Sequence, residues 1–200
     1  MPINRIVSSK RGKAAIAAII AASVGGYVTL SSGYKVHDDT ALAVIYLTKG
    51  WEGRALTAYL DRIPKPPRWT ICDGDTDNVK AGMVETNAGC DKRLAIKIER
   101  DYRSKLVKCV PDWGRQPLSW RAAAIDLSWN LGPAGVCNSS SVREIINATA
   151  EKREPNYNKV CEDLTKFNRS SGRVITGLVL RREMGDASRI GEGELCVSGL

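Results

Sequence analysis

The chain has 200 residues, a formal net charge of +8 and 43% hydrophobic residues. This length suits one domain with a hydrophobic core or a small two-lobed domain, and the ordinary hydrophobic fraction excludes a largely disordered chain. The basic residues form no aromatic-interleaved stripe or known nucleic-acid-binding motif, so we expect no nucleic-acid partner and favour acidic polymers such as cell-wall material or an anionic envelope.

The first 34 residues differ from the rest of the chain. They contain no acid and four cations, which are Arg5, Lys10, Arg11 and Lys13, and residues 14–34 carry no charge. Twenty-one uncharged residues are near the length that spans a bilayer, and the preceding cations predict a cytoplasmic N-terminus. Because the segment is rich in Ala, Gly and Ser, its insertion is only weakly favoured. A cleaved signal peptide, a permanent anchor and a releasable anchor all remain open.

The segment from residue 51 to residue 76 carries the candidate chemistry. A helix is predicted over residues 39–49, so Glu52 falls at or just after its C-terminus. The helix end and burial beside Trp51 are expected to favour the protonated carboxyl group. Asp61 ends an alternating strand, prolines force an extended loop, and the chain returns through Thr70 as a hairpin.

This arrangement predicts two carboxyl groups across a cleft. In glycosidases a protonated acid serves the leaving oxygen, while an ionised carboxylate stabilises the cation-like sugar or orients water. Glu52 and Asp61 fit these two roles, and the Thr70 hydroxyl could position the water. A Glu and an Asp nine residues apart are more often two solvated surface groups, so the spacing alone does not establish a site.

Helices follow the hairpin. A long helix is predicted from Thr86 to Pro111, a buried helix over 117–131, and a helix opened by a capping box at 141–144. Two more helices are predicted over 156–168 and 174–184. The second contains Arg181 and Arg182, which are expected to form structural ion pairs with acids rather than to contact the wall polymer. The Gly-rich tail, 185–200, is predicted to be loose except at Cys196.

All six cysteines lie after the apolar segment, at positions 72, 90, 109, 137, 161 and 196. An even number in an exported part permits three disulfides, and the sequence does not select among the fifteen pairings. No Cys-x-x-Cys pair exists and His37 is the single histidine, so zinc binding and thiol catalysis are disfavoured. We expect no metal and no cofactor.

The chain resembles glycoside hydrolase family 24, the phage-type lysozymes, over residues 38–196. Glu52, Asp61 and Thr70 match the family's catalytic Glu, Asp and Thr in type and order. The segments 122–132, which ends in Asn-Leu-Gly, and 177–183, which reads Gly-Leu-Val-Leu-Arg-Arg-Glu, resemble two further family motifs. The resemblance implies an α+β, mainly helical fold with a small β-hairpin lobe and a larger helical lobe, here preceded by an N-terminal apolar helix.

Two features depart from the family pattern. The Asp61-to-Thr70 spacing is about three residues longer than usual, because of a Pro-rich insertion over 62–68. Asp75 stands where the family usually has a His, which would couple a third acid to the protonation of the site.

Weakly hydrophobic Ala/Gly-rich N-termini resemble the signal-anchor-release segments of one class of phage endolysins. The resemblance implies two parts, a releasable anchor at 1–34 and a catalytic domain at 35–200. It also implies export, a single-pass inner-membrane state and release into the periplasm. Because the anchor contains no Cys, activation by disulfide exchange is disfavoured.

The expected function is hydrolysis of peptidoglycan between N-acetylmuramic acid and N-acetylglucosamine, by a monomer that lyses a bacterial host. Glu52 would donate the proton, and Asp61 with Thr70 would orient water. A membrane-tethered peptidoglycan-binding or scaffold module with a degenerate lysozyme site is the alternative. Transglycosylase chemistry, which would need only Glu52, is disfavoured by the presence of Asp61.

Overall fold

Helices form most of the protein in this computed structural model, which describes residues 4–200, so the first three residues of the predicted segment 1–34 lie outside it. The helices are α1 (Lys10–Ala22), α2 (Asp38–Ala43), α3 (Lys49–Trp51), α4 (Asn87–Lys97), α5 (Ser104–Cys109), α6 (Leu118–Leu131), α7 (Pro133–Cys137), α8 (Ser140–Ala150), α9 (Tyr157–Leu164), α10 (Thr176–Arg182) and α11 (Glu192–Ser198). Two π-helical stretches, Val44–Thr48 and Ile98–Arg103, join α2 to α3 and α4 to α5, and a 3₁₀ turn covers Trp113–Arg115.

The strands pair as antiparallel hairpins. They are β1 (Tyr27–Thr29) with β2 (Lys35–His37), β3 (Ala55–Asp61) with β4 (Arg68–Cys72), and β5 (Arg169–Ser170) with β6 (Arg173–Val174). The β3–β4 hairpin has its own small core of Ala58, Ile71, Cys72 and Cys90, separate from the main helical core. The predicted α+β, mainly helical fold with a small hairpin lobe and a larger helical lobe is confirmed.

The main core is built around α6. Trp120, Ile125 and Leu127 are fully buried, because neighbouring helices cover α6 on several sides. A helix that is apolar all round is expected to lie inside a domain, as predicted here for 117–131. Gly132, with φ of +74°, ends the helix.

The long helix predicted after the hairpin is present and connects the two lobes. Thr86 caps it by accepting a hydrogen bond from Gly89 N, and α4 continues through the π-helical stretch into α5. Near its middle, Arg103 donates to the fully buried Asp39, which also accepts from Arg121 and Trp113. Burial alone would raise the pKa of Asp39, but these donors lower it overall. This cluster ties α2, the long helix and α6 together.

The N-terminal segment packs against the rest of the protein. Ile16 and Ile19 of α1 belong to the main core, and α1 lies against α2 and α11. Arg11 donates to both carboxylate oxygens of Glu194, at 2.6 and 2.7 Å. The 13-residue α1 is about 20 Å long, and no helix within residues 4–200 is long and apolar enough to cross a membrane.

The uncharged stretch 14–34 is therefore not one continuous helix in this structure. Its first part lies in α1, which ends at Ala22. Gly25 and Gly26, both with positive φ, then turn the chain into β1.

The tail over 185–200, predicted to be loose except at Cys196, is ordered well beyond that residue, so the prediction is right for Cys196 and wrong for the rest of the helix. Residues 192–198 form α11, in which Leu195 and Cys196 are fully buried. Two causes hold it in place. Cys196 forms a disulfide with Cys161 of α9, and the buried acids of α11 pair with arginines from other helices. The other two disulfides are Cys72–Cys90 and Cys109–Cys137.

Candidate active site

Glu52 lies where the sequence predicts it, directly after a helix end. Its backbone N–H donates to Thr48 O at 3.0 Å, and Glu52 itself leaves the helix with φ of −89° and ψ of 144°. Gly53 follows, and β3 begins two residues later. The turn therefore places the carboxyl group between the helical lobe and the hairpin lobe.

Two side chains of the helical lobe donate to the Glu52 carboxyl group. Arg181 Nη1 lies 2.6 Å from Oε1, and Asn130 Nδ2 lies 3.3 Å from the same oxygen. Within residues 4–200, both of these hydrogen bonds end on Oε1, which leaves Oε2 for other partners. The Glu52 side chain is 24% exposed, so a substrate can reach it.

The expectation that the helix end and burial beside Trp51 favour a protonated Glu52 stays a prediction, and the Trp51 side chain has other partners. The indole N–H of Trp51 donates to Ile190 O at 2.9 Å, and the guanidinium of Arg189 lies over the Trp51 ring at 3.9 Å. Among residues 4–200, the charged partner of Glu52 is Arg181, whose guanidinium donates to Oε1. The electrostatics at Glu52 therefore depend on Arg181.

Arg181 is held by a buried acid. Its Nε and Nη2 donate to the two carboxylate oxygens of Asp126, at 3.2 and 3.0 Å, and Arg181 is only 6% exposed. Burial opposes ionisation of Asp126, but the charge of Arg181 outweighs it and the pKa of Asp126 is lowered overall. The same surroundings raise the pKa of Arg181. Asp126 and Glu52 therefore share one permanent guanidinium cation.

Asp61 and Thr70 lie on the β3–β4 hairpin. The register pairs Tyr59 with Thr70 and Asp61 with Arg68, so Asp61 and Thr70 lie on the same face of the hairpin. Asp61 Oδ1 accepts from Ile63 N at 2.9 Å, and the nearly buried Thr70 donates from Oγ1 to Arg68 O at 3.3 Å. Within residues 4–200 no hydrogen bond joins Glu52 to either residue.

Asp75, at the position where the resemblance implies a His, forms ion pairs across the lobe boundary. It accepts from Arg93 Nε and from Lys97 Nζ, both at 2.8 Å, and it is 4% exposed. Both cations belong to α4. Because Asp75 is occupied by these cations, it anchors the hairpin lobe to the long helix.

Sequence reasoning missed the contact between Arg181 and Glu52. Structural ion pairs were favoured for Arg181 and Arg182, and that interpretation holds for Asp126 and Glu192 but omits Glu52. One signal in the sequence could have indicated this contact. Asn130 and Arg181 lie in the two motifs that resemble segments of the same family as the motif around Glu52. A contact between residues 129 positions apart has no local signature in the sequence.

The fold is that of the lysozyme-type glycoside hydrolases. The chain belongs to the phage lysozyme family, whose model matches residues 49–185, and is a muramidase of that type. No curated protein sequence matches the chain.

Solved structures share the fold. An endolysin from Escherichia coli O157:H7 phage FAHEc1 superposes with a TM-score of 0.59 at 21% identity, over 81% of this chain and 92% of that one. The active form of the P1 phage endolysin Lyz superposes with a TM-score of 0.58 at 17% identity, over 98% of this chain and 97% of that one. The muramidase domain of SpmX from Asticaccaulis excentricus superposes with a TM-score of 0.57 at 17% identity, over 96% of this chain and 99% of that one.

Proposed function

We propose that this muramidase is a phage endolysin that hydrolyses the glycosidic bond between N-acetylmuramic acid and N-acetylglucosamine, with Glu52 as the proton donor. The observation that carries the proposal is the carboxyl group of Glu52 at the helix end, with both donors on Oε1. The two donors fix the plane of the carboxyl group and leave Oε2 to carry the proton. That oxygen would protonate the leaving sugar oxygen.

In this proposal the hairpin supplies the second half of the chemistry. Asp61, ionised, stabilises positive charge on the sugar, and with Thr70 it orients the attacking water. Their position on one face of the β3–β4 hairpin supports this division of roles. The Pro-rich insertion over 62–68 follows Asp61 directly, and its Ile63 is 91% exposed, so the loop before β4 is well placed to contact a bound glycan.

Product analysis tests the reaction. Purified full-length oxidised protein is incubated with bacterial peptidoglycan, and the released fragments are identified by mass spectrometry. Hydrolysis predicts reducing-end N-acetylmuramic acid, and Asp61→Asn should lower its yield sharply without unfolding the protein. Anhydro-sugar ends would instead assign transglycosylase chemistry. Folded protein that binds peptidoglycan and releases no product would favour the tethered binding or scaffold module.

We also propose that the protein is exported, first held in the inner membrane through residues 14–34 with its N-terminus in the cytoplasm, and then released to the periplasm as a monomer. The cations before the uncharged stretch and three disulfides support export. The fold likeness to the active form of the P1 endolysin includes almost the whole chain, which supports the docked α1 as the released state. Residues 35–200 would then be the catalytic domain, completed by α1.

Membrane fractionation tests the release. An uncoupler should move the uncleaved protein from the membrane fraction to the soluble fraction. Retention in the membrane would support a permanent anchor, and a shortened soluble product would support a cleaved signal peptide.

A further inference from the structure

Glu192, the first residue of α11, is a fully buried acid beside the Arg181 cluster. Its Oε1 accepts a hydrogen bond from Arg182 Nη1 and lies 3.7 Å from Arg181 Nε. Its Oε2 is also buried and receives no hydrogen bond from any donor within residues 4–200. A buried carboxylate oxygen without a donor is costly, so this atom requires a physical explanation.

The explanation lies in Asp126. Both carboxyl groups are fully buried beside one guanidinium, since Arg181 Nε lies 3.2 Å from Asp126 Oδ2 and 3.7 Å from Glu192 Oε1. A hydrogen bond between the two acids contributes to the raised pKa of Glu192 and the lowered pKa of Asp126. Two ionised carboxylates repel and neither can donate, whereas one shared proton removes the repulsion and gives Oε2 a partner. Burial raises the pKa of Glu192 well above its usual range while that of Asp126 is lowered, so the proton belongs to Glu192.

Two cations and one anion face the Glu192 carboxyl group, and burial together with the anion outweighs the two cations. The groups that face it are Arg181 and Arg182 from α10 and Asp126 from α6. From α1, Arg11 pairs with Glu194 instead, and α9 contributes the Cys161 disulfide.

We propose that Glu192 is a positioning residue of the active site, a neutral acid that donates from Oε2 to Asp126 and thereby holds Arg181 against Glu52. The proposal rests on the muramidase role of Glu52. Asp126 then binds Nε and Nη2 of Arg181, and Nη1 remains for Glu52. An ionised Glu192 would repel Asp126 and attract Arg181, which would draw the guanidinium away from Glu52.

Carboxyl-carbon NMR of the full-length oxidised protein, labelled at glutamate, tests the protonation directly. The signal that disappears in Glu192→Gln belongs to Glu192. Its chemical shift should remain that of a neutral carboxylic acid from about pH 5 to 8, where ordinary glutamates are ionised. A Glu192 signal at the ionised position over this range would overturn the proposal.

Two substitutions of similar size test the positioning role. Glu192→Gln keeps a neutral donor toward Asp126, and Glu192→Met removes it. We expect Glu192→Gln to hydrolyse peptidoglycan within about threefold of the unaltered protein and Glu192→Met at least about tenfold more slowly, with the loss in kcat. Glu194→Gln, on the same buried helix, is the matched control and should lower thermal stability without lowering kcat.

The Glu52 carboxyl-carbon signal gives a readout that does not need activity. It is assigned with Glu52→Gln, and it should shift in Glu192→Met but not in Glu192→Gln, because only the first disturbs Arg181. Equal losses of kcat in Glu192→Gln and Glu192→Met, or an unmoved Glu52 signal in both, would refute the positioning role. If the unaltered protein shows no muramidase activity, the proposed function fails, and the two carbon signals still decide the state and role of Glu192.

Discussion

Replacing Arg181 with Met should both destabilise the protein and slow hydrolysis. The substitution leaves Asp126 fully buried without its bidentate donor, and breaking a buried ion pair from one side costs about 3–5 kcal/mol. It also removes the 2.6 Å hydrogen bond to Glu52. A hydrogen bond to a charged group contributes about 1.5–3 kcal/mol, so kcat should fall at least about tenfold.

A double-mutant cycle separates the ion pair from other effects. Asp126→Leu alone should also cost about 3–5 kcal/mol, because it leaves the buried guanidinium without its bidentate anion. The double variant Arg181→Met with Asp126→Leu removes both charges, so its loss should be at least about 2 kcal/mol smaller than the sum of the single losses.

Urea unfolding of the four proteins, followed by circular dichroism, measures the cycle. The m-values should agree among the four, since the fold is unchanged. If the two single losses add to within about 0.5 kcal/mol in the double variant, Arg181 and Asp126 do not act as a pair and the reasoning about Glu52 loses its support.

Three further expectations concern stability. Asp39→Asn should lower the free energy of unfolding by about 3–5 kcal/mol, because Arg103 and Arg121 lose their buried anion, and urea unfolding checks this loss. Replacing Cys161 and Cys196 together with Ala opens a loop with a sequence separation of 35, so unfolding under oxidising conditions should become about 3–4 kcal/mol easier. The raised pKa of Glu192 means that, above about pH 5, the native state holds a proton that the unfolded state has released. The free energy of unfolding should therefore fall by up to about 1.4 kcal/mol per pH unit relative to Glu192→Gln, and parallel pH profiles for the two proteins would contradict this.

The sequence predicted the elements whose signals are local. Thr86 caps the long helix as expected, the hairpin around Thr70 forms, and the apolar run before Gly132 is a buried helix. These features depend on residues within a few positions of one another, since capping, alternation and helical periodicity are local properties.

The parts that the sequence did not predict depend on long-range pairing of charges. The Gly-rich tail has the composition of a loose segment, yet Glu192 and Glu194 are buried because Arg182 and Arg11 neutralise or hydrogen-bond them. In the same way, Arg181 donates a hydrogen bond to Glu52, which lies 129 positions earlier in the sequence. An exposed and a buried acid look identical in one sequence, because the partner that makes burial tolerable lies elsewhere in the chain.

The identity of the proton donor is the central claim, and one comparison tests it most directly. New reducing ends released from bacterial peptidoglycan are counted for the full-length oxidised protein, for Glu52→Gln and for Glu162→Gln, an exposed control on α9. Glu52→Gln should release none above background while staying folded, and Glu162→Gln should match the unaltered protein. Undiminished release by Glu52→Gln would contradict the assignment of Glu52 as the acid.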